Sequence, residues 1–140
     1  MQIIDASIIV KLCIEENGSA IARQVVGNAV KLSAPNHALA EVGEVLVRKV
    51  RLGEAKFDQV GDAIRAVALK IDFIDLRELL PAAMTLSLDT KLSVYDCLYV
   101  AAAERLKGQL FTADRRMLSL LQSTRYRSLL LPLDSSTGSP

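Results

Sequence analysis

The sequence predicts an α/β protein in three layers, α/β/α, with a short-stranded central parallel sheet covered by helices on both faces. Three observations predict it. Short apolar or β-branched runs alternate along the chain with segments whose apolar residues recur every three or four positions. The 140 residues are 51% hydrophobic and 24% charged, which is a globular composition rather than a disordered one. No repeat and no linker interrupts the pattern. One domain is therefore expected over residues 1–134, with the Ser- and Gly-rich stretch 135–140 as a flexible tail.

Met1 to Ile4 is an apolar run ended by Asp5, and reads as the first strand. Ser7 is expected to cap a brief helix over Ile8–Ile14. Glu15 to Ser19 breaks that pattern, and Ser19 opens a second helix with Ile21, Val25 and Val26 on its apolar face. Lys31–Ala34 is a strand closed by Pro35. Leu39, Val42, Leu46 and Val50 then recur at helical spacing until Gly53. Phe57, Val60, Ile64 and Val67 do the same in the next helix. Ile71–Leu76 alternates as a strand does. Glu78–Leu88 is helical, with Pro81 expected in its first turn. Ser93 opens a helix to Lys107, which Gly108 stops. Gln109–Thr112 is a strand, Asp114 starts a helix through Leu121, and Ser128–Leu133 is a final strand.

Composition narrows the function. Lys and Arg total 17 against 16 Asp and Glu, so charge alone does not make a nucleic-acid coat, although a local basic surface is compatible. Cys13 and Cys97 are too few for a disulfide framework and read as reduced thiols. His37 is the one histidine, which excludes the usual zinc spacings; it reads as a surface residue at a helix start. The apolar runs fall far short of a transmembrane helix, no basic region precedes an apolar stretch at the N-terminus, and the expected location is the cytoplasm.

In an open parallel sheet, ligands sit beyond the carboxyl ends of the strands. Asp5 directly follows the first strand, and Asp114 follows the strand ending at Thr112. Each also suits a local turn or helix cap. Asp96 opens a helix whose next seven residues, Cys97 to Ala103, carry no charge. A carboxylate entering so apolar a helix loses hydration unless something compensates it. A Ser93-x-x-Asp96 capping box and a bound cation are both compatible with that position. Glu41 lies off the apolar stripe of its helix, as does Glu44, which can pair with Arg48; periodicity reads Glu41 as a solvated charge and does not choose between the two. Taken together, acids from separate elements meeting at one sheet edge repel one another and persist where a cation neutralises them. Oxygen-only ligands favour Mg²⁺ or Mn²⁺, which suit phosphodiester hydrolysis.

Several blocks then carry a resemblance: Ile3-Ile4-Asp5-Ala6-Ser7, Ala34-Pro35 with Glu41-Val42, Ser93-Val94-Tyr95-Asp96-Cys97-Leu98-Tyr99 with Ala101 to Leu106, and Leu110-Phe111-Thr112-Ala113-Asp114-Arg115-Arg116. In their order and spacing the chain resembles PIN-domain ribonucleases, most closely the VapC toxins of type II toxin–antitoxin modules. The resemblance implies a PIN-like fold and four acidic site positions, which match Asp5, Glu41, Asp96 and Asp114, with Ser7 and Thr112 supporting them. It singles out Glu41 over Glu44. It implies Asp5, Asp96 and Asp114 as ligands of Mg²⁺ or Mn²⁺, RNA as substrate, a homodimer, and a VapB-like antitoxin whose tail blocks the site. Some relatives carry a further acid where this chain has Arg116. Lys11, Arg48, Lys49, Arg115 and Arg116 are the expected phosphate contacts, because they neighbour the acids in sequence.

Two other readings compete. A response-regulator-like phosphoacceptor module would carry paired acids after the first strand and a Lys after the fifth; Asp5 is followed by Ala6, and no Lys follows Ser128–Leu133. A non-catalytic interaction module could keep the same fold. A haloacid-type phosphatase would need an acid where Ser7 stands.

Overall fold

The computed structural model describes residues 1–134; the tail expected at 135–140 lies outside the described residues. The elements are β1 (Gln2–Ile4), α1 (Ala6–Cys13), α2 (Ser19–Asn28), β2 (Leu32–Pro35), α3 (Ala38–Arg51), α4 (Phe57–Ala68), β3 (Ile71–Ile74), α5 (Leu76–Thr90), α6 (Val94–Leu106), β4 (Gln109–Thr112), α7 (Arg115–Leu121) and β5 (Leu130–Pro132). The five strands are all parallel, in the order β3-β2-β1-β4-β5. The alternation of strand and helix in the sequence is thus realised as a three-layer α/β/α fold. The order differs from the 2-1-3-4-5 of response-regulator-like sheets.

Burial explains the short, nearly all-apolar strands. Ile3, Ile4, Ala34, Leu110 and Phe111 are fully buried, as expected for a parallel sheet covered on both faces. Helix α6 lies on β1, β2 and β4 and is backed by α5. Helix α1 touches β1 and β4 and is joined by α2, α3 and α4. All seven residues from Cys97 to Ala103 are buried, because a helix apolar all round has no face to give to water. The run Ala101–Ala103 lets its backbone approach the sheet closely.

Topology fixes where a ligand can enter. The chain starts in the middle of the sheet, moves outward through β2 and β3, and returns to place β4 on the other side of β1. Beyond the carboxyl ends of β1 and β4 the connections diverge and leave a crevice.

Three expectations are corrected. Asp5, not Ser7, caps α1, accepting from the Ile8 amide at 3.3 Å. Pro81 lies in the second turn of α5, since Asp75 caps that helix two residues earlier than the apolar spacing suggests. Pro81 and Arg77 are both exposed, so water can meet the Arg77 carbonyl that proline leaves without a donor. Residues Arg125–Leu129 form a 3-10 turn capped by Thr124, which shortens the last strand to Leu130–Pro132. The left-handed residue that ends α6 is Lys107, at φ 53°, just before Gly108. Gly108 is needed for space: a Cβ there would stand 2.7 Å from the Met1 carbonyl oxygen.

Candidate functional site

Asp5 is 3% exposed at the end of the central strand. Both its oxygens are occupied by hydroxyls. Ser7 Oγ donates to Oδ1 at 2.5 Å, and Thr112 Oγ1 donates to Oδ2. Each hydroxyl is oriented in turn by a backbone amide from the β4–α7 connection. Ala113 N–H donates to Ser7 Oγ at 3.0 Å, and Asp114 N–H donates to Thr112 Oγ1 at 2.9 Å. Two short relays therefore join β4 to the carboxylate on β1. Burial pushes the Asp5 carboxyl up from 3.8 to about 6, and the nearby Asp114 carboxylate adds to this; the three hydrogen bonds oppose it without cancelling it.

Asp114 caps α7, with Oδ1 accepting from Arg116 N–H at 3.0 Å and Met117 N–H at 3.1 Å. Asp96 sits in the first turn of α6. Only half of the expected capping box forms: Ser93 Oγ accepts from Asp96 N–H at 3.1 Å, and no return bond from the Asp96 carboxylate to the Ser93 amide is present among the described residues. Burial first, then the Asp114 and Glu41 carboxylates, raise the Asp96 carboxyl above its ordinary value, against the pull of Ser93 and the Arg116 guanidinium. Capping and site geometry thus share the same residues.

Glu41 comes from the first turn of α3. It lies off the buried stripe of Ala38, Val42 and Leu46, as its spacing predicts. Its carboxylate is nevertheless held. Tyr99 Oη donates to Oε1 at 3.2 Å, and His37 Nε2 stands 2.8 Å from the same oxygen. His37 is not the surface residue that the sequence suggests: its side chain is 8% exposed and its ring packs 4.7 Å from that of Tyr99. Glu44 is exposed, and its expected pairing with Arg48 is not formed among the described residues.

Asp5, Glu41, Asp96 and Asp114 line one open cleft of about 490 Å³ at the crevice between β1 and β4, with Ser7 and Tyr99 in the same wall. Lys11, Arg48 and Lys49 line the same cleft. Arg115 and Arg116 do not line it; Arg115 pairs with Asp134 at 3.5 Å. Glu16, which sequence reading treats only as a break in the pattern, accepts from both Lys11 (3.0 Å) and Lys49 (3.2 Å) and holds those ammonium groups at the cleft.

Among the described residues no three acids, His or Cys close into a ready-made cation cage. The donor set still fits a hard cation. It is made of carboxylate oxygens, it repels itself, and Mg²⁺ commonly keeps several waters between itself and few protein ligands.

Three comparisons bear on this site. A family model described as the PIN domain matches residues 3–120. Ribonuclease VapC3 of Pyrobaculum aerophilum is 32% identical over 120 residues, covering 82% of this chain and 90% of that protein. Two solved structures share the fold. A protein from Pyrobaculum aerophilum superposes with a TM-score of 0.68 at 21% identity, covering 85% of this chain and 78% of that one. A toxin–antitoxin complex from Klebsiella pneumoniae gives 0.64 at 14% identity, covering 95% and 98%.

Proposed function

The chain belongs to the PIN-domain family, and from that premise we propose that it is a metal-dependent ribonuclease of the VapC toxin type. The observation that carries this reading is the convergence of four carboxylates, from the ends of β1 and β4 and the first turns of α3 and α6, on one cleft.

Asp5, Asp96 and Asp114 are the residues that would hold Mg²⁺ or Mn²⁺, directly or through water. Such an ion would supply a Lewis acid there, making a water more acidic, polarising the phosphoryl oxygen and offsetting transition-state charge. Glu41 holds the attacking water and takes its proton, the work of a positioned general base. Ser7 and Thr112 fix the orientation of Asp5, so the carboxylate need not reorganise as the substrate arrives. Lys11, Arg48 and Lys49, which line the same cleft, contact RNA phosphates. Attack in line with the 3′ oxygen leaves a 5′-phosphate and a 3′-hydroxyl. No side chain forms a covalent intermediate.

A VapB-like antitoxin restrains the enzyme by filling the open cleft with a segment of its own. The enzyme itself is a homodimer. Leu80, Met84 and Leu88, exposed at a spacing of four along α5, supply an apolar stripe suited to that contact. It works in the cytoplasm; among the described residues no helix is long and apolar enough to cross a membrane.

Asp96→Asn tests the reading. The variant keeps the amide that Ser93 caps, so its circular dichroism should match the parent. Its Mn²⁺-dependent cleavage of RNA should fall by at least ~100-fold. Cleavage equal to the parent refutes the mechanism.

A further inference from the structure

We propose that His37 and Tyr99 are positioning residues, which clamp Glu41 by one oxygen and leave the other for the attacking water. This rests on the nuclease reading above, and concerns residues that it leaves without a role.

His37 is the residue just before α3, with helical backbone angles (φ −66°, ψ −18°), four positions ahead of Glu41, so their side chains share a face. Both groups within reach of His37 Nε2 are acceptors: Glu41 Oε1 at 2.8 Å and the Tyr95 carbonyl at 3.0 Å. Nε2 therefore carries the hydrogen. It lies between the two and ties α3 to the residue just before Asp96 on α6. Tyr99, also on α6, adds a second donor to the same Oε1 at 3.2 Å. Glu41 Oε2 has no hydrogen-bond partner among the described residues. The arrangement fixes the carboxylate in rotation and in distance from Asp96, while keeping one oxygen free to accept.

The other ring nitrogen supplies an independent sign. His37 Nδ1 is buried and has no partner among the described residues. Buried polar atoms are nearly always satisfied, and an apolar side chain would fill this space without that cost. The ring is explained by what Nε2 holds. Tyr99 reinforces the point: it is 1% exposed, and its phenol proton is kept by burial and by the Glu41 charge beside it, so its O–H stays available as a donor to Glu41.

The experiment compares His37→Leu, His37→Gln and Tyr99→Phe with the parent under single-turnover RNA cleavage, with Mn²⁺ binding measured by calorimetry. Leu removes the donor, whereas Gln restores an N–H near the position of Nε2. His37→Leu should lower the cleavage rate about tenfold or more, a fraction of what a general base supplies. KM and Mn²⁺ affinity should stay within about twofold, because the Asp residues are untouched. His37→Gln should recover most of the rate, and Tyr99→Phe should lose severalfold. A Leu variant as fast as the parent, or a Gln variant as slow as Leu, overturns the proposal. Crystal structures of the parent and His37→Leu read the positioning without activity: Glu41 should hold one rotamer in the parent and leave it in the variant. An unmoved Glu41 overturns the proposal. A parent that leaves RNA intact with Mn²⁺ refutes the nuclease reading instead, and the crystallographic comparison then decides the positioning.

Discussion

Replacing Asp5 by Asn should make the metal-free protein more stable. In the fold the Asp5 carboxyl is pushed up to about 6, against 3.8 in the ordinary case. Between those values the folded chain binds more protons than the unfolded one, so stability falls as pH rises through that window and stays low above it. The gap of roughly two pH units, at about 1.36 kcal/mol each, is a cost of about 3 kcal/mol at pH 7.5. Asn carries no charge, still offers an oxygen to one hydroxyl, and can donate from its amide to the other once that hydroxyl turns. The variant should therefore gain up to about 3 kcal/mol in EDTA at pH 7.5, roughly 10 °C in melting temperature. At pH 5 only about one pH unit separates the solution from the unfolded value, so the advantage should shrink to roughly half. Urea denaturation of both proteins in EDTA at the two pH values measures this directly. Adding Mn²⁺ should stabilise the parent and do little for the variant. A variant no more stable than the parent at pH 7.5, or an advantage that does not change with pH, refutes the reasoning.

Thr112→Val keeps the shape but removes the donor to Asp5 and the acceptor for the Asp114 amide. It should cost about 1–3 kcal/mol by urea denaturation and move the pH dependence of stability in EDTA to higher pH. Lys49→Ala should raise KM for RNA with kcat kept, and lower the slope of log affinity against log salt by about one, measured by fluorescence anisotropy. Gly108→Ala should cost about 1–3 kcal/mol through overpacking against the Met1 carbonyl, with no loss of cleavage per folded molecule.

Much of this molecule is legible from local chemistry. The bounds of α6 follow from Ser93 and the uncharged run behind Asp96, and β4 from its short apolar stretch. What escapes local reading is set by partners far away in sequence. The donor to Asp5 is 107 residues distant, and the Tyr99 donor to Glu41 is 58. Periodicity reports which face of α3 is apolar; it says nothing of where a second helix will put a phenol, so Glu41 and Glu44 look alike until α6 is in place. Only the four-residue spacing of His37 and Glu41 hints at the clamp, and that spacing is common by chance. Ser7 looks like a cap because hydroxyls usually are; here the neighbouring carboxylate takes the amide and leaves the hydroxyl to bridge to β4.

The two hydroxyl relays also set a timetable for synthesis. Asp5 and Thr112 leave the ribosome more than a hundred residues apart. A nascent chain interrupted before β4 carries Asp5, Glu41 and even Asp96, yet lacks Thr112 and Asp114, so one oxygen of its innermost acid has lost its hydroxyl donor and the cleft lacks its fourth acid. Competence to cut waits for the segment that carries Thr112 and Asp114. Chains that stop before β4 are left with three acids and half of the hydroxyl pair that orients Asp5.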